Sequence, residues 1–435
     1  MEFNVYTQFV SEPSAPYEVT LTFYSHQSDD MLFDQEQEIV IYCHSGLRSV
    51  GMKWELCRNL FEKSFLTGEA EAQPANVYII RIPADKLKPG FFDLHVTLDV
   101  GNSKKVKGIS TFGYQVSKMP VVTNRPADFK EFWSKARDSL KQIPLDAKIE
   151  LVKVYSKDEI DAYNLSHAAI PADYDPQGHR AEEVEVYKVD FASANGMRVH
   201  GWLTKPKGPG PFPTMLVLPG AGFAARPVPL EHARHGYLAL DIQVHGQEVD
   251  QPTYEKNPAA TNPTYESPEK HYFYSVYLNW FQAVNYLCSR QDVDQSRIVV
   301  IGGSQGGRGT VVVAAMDSRI AAAIPAIAHY ADIPYLYWSR QCNSAKSDGM
   351  DRDGPLPLAD DAEGKCIPYY DIMNFAPDIH CPVLMNAGFI DPISPVTGVY
   401  STYRLIGSSN KKMVPLPGLG HDWSAEFDRR VAMVG

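Results

Sequence analysis

Arg297-Ile-Val-Val-Ile-Gly-Gly-Ser-Gln-Gly-Gly-Arg-Gly-Thr310 decides the fold. A β-branched run, Ile298 to Ile301, reads as a strand. The chain then turns through glycines around Ser304 and continues as the helical run Val311-Val-Val-Ala-Ala-Met316. Strand, sharp turn and helix place Gly302-Gly-Ser-Gln-Gly306 on the G-x-S-x-G pattern of a nucleophile elbow. In such an elbow, side chains at the flanking glycines would collide with strand and helix. The turn exposes the serine Oγ and points helix N-terminal amides at an oxyanion. A Gly-rich connection with a solvated serine is the plainer reading. The strand before, the helix after and the additional Gly307 weigh against it.

Outward from this stretch, the second half of the chain alternates apolar strands with helices. Thr214-Met-Leu-Val-Leu218 and Tyr237-Leu-Ala-Leu-Asp-Ile242 are continuous apolar runs, as buried parallel strands require. Tyr272 to Ser289 has helical spacing, with Val276, Trp280, Val284 and Leu287 near one face. Strands follow at Ile320–Pro325, Pro382–Ala387 and Lys412–Leu416. The alternation predicts a doubly wound, mostly parallel α/β sheet. Residues 330 to 370 interrupt it with Tyr330, Tyr335, Tyr337 and Trp338 and then an acidic Pro/Gly-rich loop. Such an insert is placed to cover a site, its aromatics either stacking on sugar rings or packing in the core.

The first part of the chain alternates with period two, in Tyr17–Tyr24, Glu38–Cys43, Asn76–Ile82 and Gly90–Leu98. This predicts a small β-sandwich-like accessory domain over 1–120 and a catalytic domain over 121–435, with a linker at Pro120–Pro126. Ala127 to Leu140 is spaced as a helix with Phe129, Phe132, Trp133 and Ala136 on one face. Asn195-Gly196 between two alternating runs signals a hairpin.

The 435 residues carry 41 Lys and Arg against 52 Asp and Glu, a net charge of −11, which argues against a nucleic-acid surface. No apolar run is long enough to span a membrane, and Met1-Glu-Phe-Asn leads directly into a strand-like segment rather than a leader. The compartment stays open: exported or periplasmic if the chain is a trimmed form, cytoplasmic otherwise. The six cysteines have no C-x-x-C spacing. Cys43 with Cys57 and Cys342 with Cys366 are candidate disulfides, and buried free thiols are the alternative.

A serine nucleophile needs a base in reach and an acid to orient the base, in the chain order Ser, acid, His for this kind of sheet. His421 lies in Pro415-Leu-Pro-Gly-Leu-Gly-His-Asp-Trp423, after the last predicted strand. Asp391, just past a strand's carboxyl end, is the expected acid; an Asx turn before Pro392 is its alternative role. Asp371 and Asp378 are weaker candidates. Gln305 and Ala221 are the expected oxyanion donors, from the residue after the serine and from the loop after an earlier strand. The chemistry needs no metal or organic cofactor.

From about Asp128 to near its end the chain resembles carbohydrate esterase family seven, the acetyl xylan esterases and cephalosporin C deacetylases. The resemblance rests on Asp128-Phe-Lys-Glu-Phe-Trp133, Val244-His-Gly-Gln247, Tyr272-Phe-Tyr-Ser-Val-Tyr-Leu278, Gly302-Gly-Ser-Gln-Gly-Gly307, Tyr370-Asp-Ile-Met-Asn-Phe375, Asp391 and His421. It implies an α/β-hydrolase fold, a Ser304–His421–Asp391 triad, and removal of acetyl or other short acyl groups from sugar or small-molecule esters. It also implies a possible homo-oligomer. His245 and Gln247 stand where the family has Arg-Gly-Gln, and with Phe223 they are the expected substrate contacts. Ala221 stands where the family places a tyrosine beside the acyl group. Two other classes compete: a prolyl-oligopeptidase-type peptidase, for which the front part is too short to form a propeller, and a carbohydrate-binding protein with a dead hydrolase domain.

Overall fold

The computed structural model describes residues 6–10, 19–34, 36–47, 49–166, 181–251, 253–352, 354–355, 357–422 and 427. Met1 to Asn4, Tyr17, Glu18 and Trp423 of the stretches quoted above lie outside them. Two five-stranded sheets occupy the front of the chain. Ile39–Ser45 alternates buried and partly exposed side chains, as period two requires. Leu21, Phe23, Ile41 and Ile80 of one sheet share an apolar cluster with Trp54, Leu56, Leu94 and Phe112 of the other. The cysteine pairings do not form: all six thiols are free. Cys43 and Cys57 lie on strands of different sheets, and burial pushes both thiols up to about 12.

Residues 121–126 have no helix or strand. Behind them the chain builds a nine-stranded sheet from β1 (Lys148–Ser156), β2 (Glu183–Ala192), β3 (Arg198–Pro206), β4 (Phe212–Leu218), β5 (Leu238–Gln243), β6 (Val293–Gly303), β7 (Ile320–Ala326), β8 (Val383–Gly388) and β9 (Lys411–Leu416). Its order is β1-β2-β3-β5-β4-β6-β7-β8-β9. From β5 to β9 every neighbour is parallel, and β1 to β3 add an antiparallel edge. Asn195 and Gly196 turn the β2–β3 hairpin with φ of 56° and 72°.

Helix α1 (Phe129–Ser139) buries Phe129, Trp133 and Ala136, and its Trp133 stacks on Tyr277 at 5.0 Å. Tyr277 belongs to α2 (Tyr272–Cys288), which is buried almost all round rather than on one face. Its inward polar groups are satisfied: Asn279 Nδ2 donates to the Val244 carbonyl at 2.8 Å and Gln282 Nε2 to that of Ala192 at 3.0 Å. Strand β6, which leads into Ser304, runs inside this sheet and feeds α3 (Gln305–Met316).

The aromatic insert forms α4 (Ile333–Ser344) and divides its side chains between two tasks. Tyr335 and Trp338 are buried against Phe61 of the front sheets, with ring centroids 6.0 and 5.1 Å apart. Arg58 lies 4.9 Å over Trp338, and Asn343 bonds both the Glu62 amide and the Leu60 carbonyl. Ile333, Leu336, Tyr337 and Arg340 line a cleft instead. The N-terminal sheets therefore brace a helix that forms a wall of the site.

Candidate active site

Ser304 sits between β6 and α3 at φ 58°, ψ −117°, a conformation that costs a non-glycine residue about 1–3 kcal/mol. The surrounding packing imposes it. A Cβ on Gly306 would lie 2.2 Å from the Leu218 carbonyl oxygen, and one on Gly307 would lie 2.4 Å from that of Ala326. The Ser304 amide donates to the Ala326 carbonyl at 3.0 Å, while its own carbonyl accepts from His329 at 3.1 Å. Gln305 opens the helix, so its N–H has no intrahelical acceptor and is free for an oxyanion.

Asp391 and His421 come from the carboxyl ends of β8 and β9, and His421 Nδ1 lies 2.8 Å from Asp391 Oδ2. The other oxygen, Oδ1, accepts from the Ile393 and Ser394 amides, both at 2.8 Å. The Asx turn and the imidazole contact thus coexist on different oxygens of a carboxylate that is 2% exposed. The two weaker acid candidates are engaged elsewhere. Asp378 pairs with Arg125 at 2.5 Å and Lys130 at 2.6 Å. Asp371 accepts from the backbone amides of Ile333, Met373 and Asp332. Among the described residues Ser304 Oγ makes no hydrogen bond; catalytic contacts of this kind often close only around substrate.

Ser304, Gln305, Ala221 and Phe223 line one cleft of about 460 Å³. His245 and Gln247 are not among its lining residues. His245 stacks between Phe223 at 4.5 Å and Tyr272 at 5.8 Å. Its Nε2 lies 3.0 Å from the Ala221 carbonyl and its Nδ1 lies 2.7 Å from Tyr272 Oη. A carbonyl only accepts, so Nε2 carries the proton and Nδ1 accepts from the phenol. His245 therefore braces the loop that carries Ala221. Gln247 donates to the Glu255 carbonyl at 2.7 Å.

Among the lining residues that escaped the sequence reading are Arg308, His271, His329 and Lys256. Arg308 carried a signal. It lies four residues after Ser304, on the same face of an otherwise glycine-rich and apolar helix. The loop after β7 holds Ile327, Tyr330 and Asp332 at positive φ, which no composition announces.

Burial holds His245, His271 and His329 neutral. It depresses His245 to about 4 and His271 to about 3, and His329 goes to about 4 with added repulsion from Arg308 and His421. His232, away from the cleft, is also depressed to about 4 by burial. Burial drives carboxyls the other way, Asp93 and Asp241 upward and two more, Asp371 and Asp332, up to about 6 and about 7. Between about pH 6 and pH 4 the unfolded chain protonates these histidines while the folded chain does not, and the folded chain protonates Asp371 and Asp332 while the unfolded does not. The histidines, together with Glu231, held at about 2 against its burial by its bonds to His235 and Arg234, bind more protons in the unfolded chain, and stability falls as the pH drops through that window. Calorimetric melting at pH 7, 6 and 5 is expected to show a falling Tm. A Tm that rises toward pH 5 would contradict these burial assignments.

An acetyl xylan esterase (AXE1) family model matches residues 161–433. The acetyl esterase Axe7A of Xylanibacter ruminicola is 27% identical over 349 residues, covering 75% of this chain and 70% of that protein. Among solved structures, the acetyl xylan esterase of Paenibacillus sp. R4 superposes with a TM-score of 0.54 at 26% identity, over 73% of this chain and 96% of that one. Acetyl xylan esterase 1 of Thermoanaerobacterium sp. JW/SL YS485 gives 0.56 at 20% identity, over 74% and 96%, a likeness of fold. The family model spans well over half of the residues, and the chain belongs to the acetyl xylan esterase family of carboxylic ester hydrolases.

Proposed function

We propose that Ser304, His421 and Asp391 form the triad of a serine esterase that removes acetyl groups from acylated sugars. The observation that carries this reading is the 2.8 Å contact of His421 Nδ1 with Asp391, made on the same side of the sheet as the strained Ser304 elbow. In this reading His421 Nε2 takes the Ser304 proton as Oγ attacks the acetyl carbonyl. The Gln305 and Ala221 amides hold the oxyanion, and Asp391 stabilises the imidazolium. His421 then protonates the leaving alcohol oxygen and activates the water that releases acetate.

A methyl at Ala221 leaves space beside the oxyanion. Phe223, stacked on His245, lines the same cleft. Each methylene accepted there is worth about 1–3 kcal/mol, so propionyl and butyryl esters are expected within about tenfold of acetyl in kcat/KM, with Ala221→Tyr restoring acetyl preference. Kinetics on the three 4-nitrophenyl esters and on acetylated xylo-oligosaccharides, beside prolyl peptide amides, test the function. Prolyl amides cleaved faster than acetyl esters would overturn it. A butyryl value about a thousandfold below acetyl would show that another side chain closes the pocket.

A further inference from the structure

We propose that the cleft selects an acetyl ester whose alcohol part carries a carboxylate, with Arg308 on the cleft floor as the recognition residue. The inference rests on the esterase reading above and adds the class of leaving group.

Arg308 is 1% exposed. Its guanidinium lies 4.1 Å from the Phe273 ring and 4.1 Å from the Tyr330 ring, and its Nε donates to Tyr277 Oη at 2.5 Å. Tyr330 is held over it at φ 69°. Nη2 is buried and finds no hydrogen-bond acceptor among the described residues. No carboxylate among them pairs with it either. Asp371, whose charge it influences, is spent on three backbone amides. A buried cation without a counter-ion is costly, and an apolar side chain would pack between two aromatic rings without that cost. Arg308 is one of the residues lining the cleft that holds Ser304, and in this proposal its missing partner comes from that cleft.

The rim carries the same sign. Lys256 and Arg340 line the cleft beside a single carboxylate, Glu363. Glu363 is already engaged with the phenols of Tyr337 and Tyr265. The lining histidines His271 and His329 are neutral. This excess of positive charge stands out in a chain of net charge −11. A low-dielectric cleft focuses such a field on an incoming anion. The acetyl group has no charge, so the carboxylate belongs to the alcohol, and an acetylated uronic acid is its saccharide form. The reaction itself is unchanged: the acetyl C–O bond breaks, water supplies the oxygen of acetate, and the alcohol leaves protonated with its carboxylate untouched.

The test compares matched esters differing only in charge: methyl glucuronide triacetate against its glucuronamide, and 4-acetoxybenzoate against 4-acetoxybenzamide. The first pair reports uronides and the second any carboxylate-bearing alcohol. The carboxylate is expected to be favoured by about tenfold or more in kcat/KM, a preference that shrinks as salt rises. Arg308→Met should bring the ratio to about one and Arg308→Lys should keep part of it. Fluorophosphonate labelling of Ser304 reports whether each variant keeps a competent site. Should Arg308→Met not fold, inhibition of 4-nitrophenyl acetate hydrolysis in the native enzyme decides: glucuronate should compete and glucuronamide should not. Equal rates for charged and neutral partners in both pairs, or equal inhibition, would overturn the proposal and leave the esterase reading standing. Failure to hydrolyse any of the four, without serine labelling, would instead sink the esterase reading.

Discussion

Ser304→Ala is expected to lower kcat/KM for 4-nitrophenyl acetate by on the order of 10⁴-fold or more, with the melting temperature kept. In the proposed mechanism the Oγ makes and breaks the covalent bond, and nothing else at the elbow replaces it. The alanine keeps the backbone, and Ser304 Oγ makes no hydrogen bond among the described residues, so folding loses no side-chain hydrogen bond. Removing a serine from a strained turn leaves the strain in place, because it comes from Gly306 and Gly307 packing against the Leu218 and Ala326 carbonyls. A variant with more than about a tenth of native activity would remove the serine from the mechanism.

Asp391→Asn is expected to cost on the order of 10⁴-fold in kcat, while Asp378→Asn and Asp371→Asn keep most of the turnover per labelled site. An asparagine at 391 can still accept from the Ile393 and Ser394 amides through its oxygen. It then turns an NH₂ toward His421 Nδ1, which forces the proton onto Nε2 and leaves the imidazole unable to take the serine proton. The loss is therefore catalytic rather than structural. Asp378→Asn loosens the ion pairs to Arg125 and Lys130 instead, an effect on stability. If Asp378→Asn were inactive and Asp391→Asn active, the acid would be misassigned.

The sequence made the catalytic half legible because its signals are local. Continuous apolar runs announced the parallel strands, and glycines at fixed offsets announced the elbow. Chain order, with a place just past a strand's carboxyl end, paired Asp391 with His421. The edge strand β1 was missed because its alternation slips: the pairing shifts register between Leu151 and Lys153, so Ile149, Leu151, Val152 and Val154 do not share one period. The roles of His245 and Tyr335 were not readable, since each depends on a partner distant in sequence. His245 meets the Ala221 loop, and Tyr335 donates to the Asn59 carbonyl, 276 residues away. Arg308 was visible as a lone charge in an apolar helix, but its lack of a counter-ion is a property of the packing.

Stoichiometric labelling with a fluorophosphonate, followed by intact mass and peptide mapping, tests the central claim most directly. One adduct per chain is expected, on the peptide that contains Ser304, accumulating in step with the loss of acetyl ester hydrolysis. Complete loss of hydrolysis with Ser304 unmodified, or full labelling of Ser304 with hydrolysis retained, would contradict the assignment.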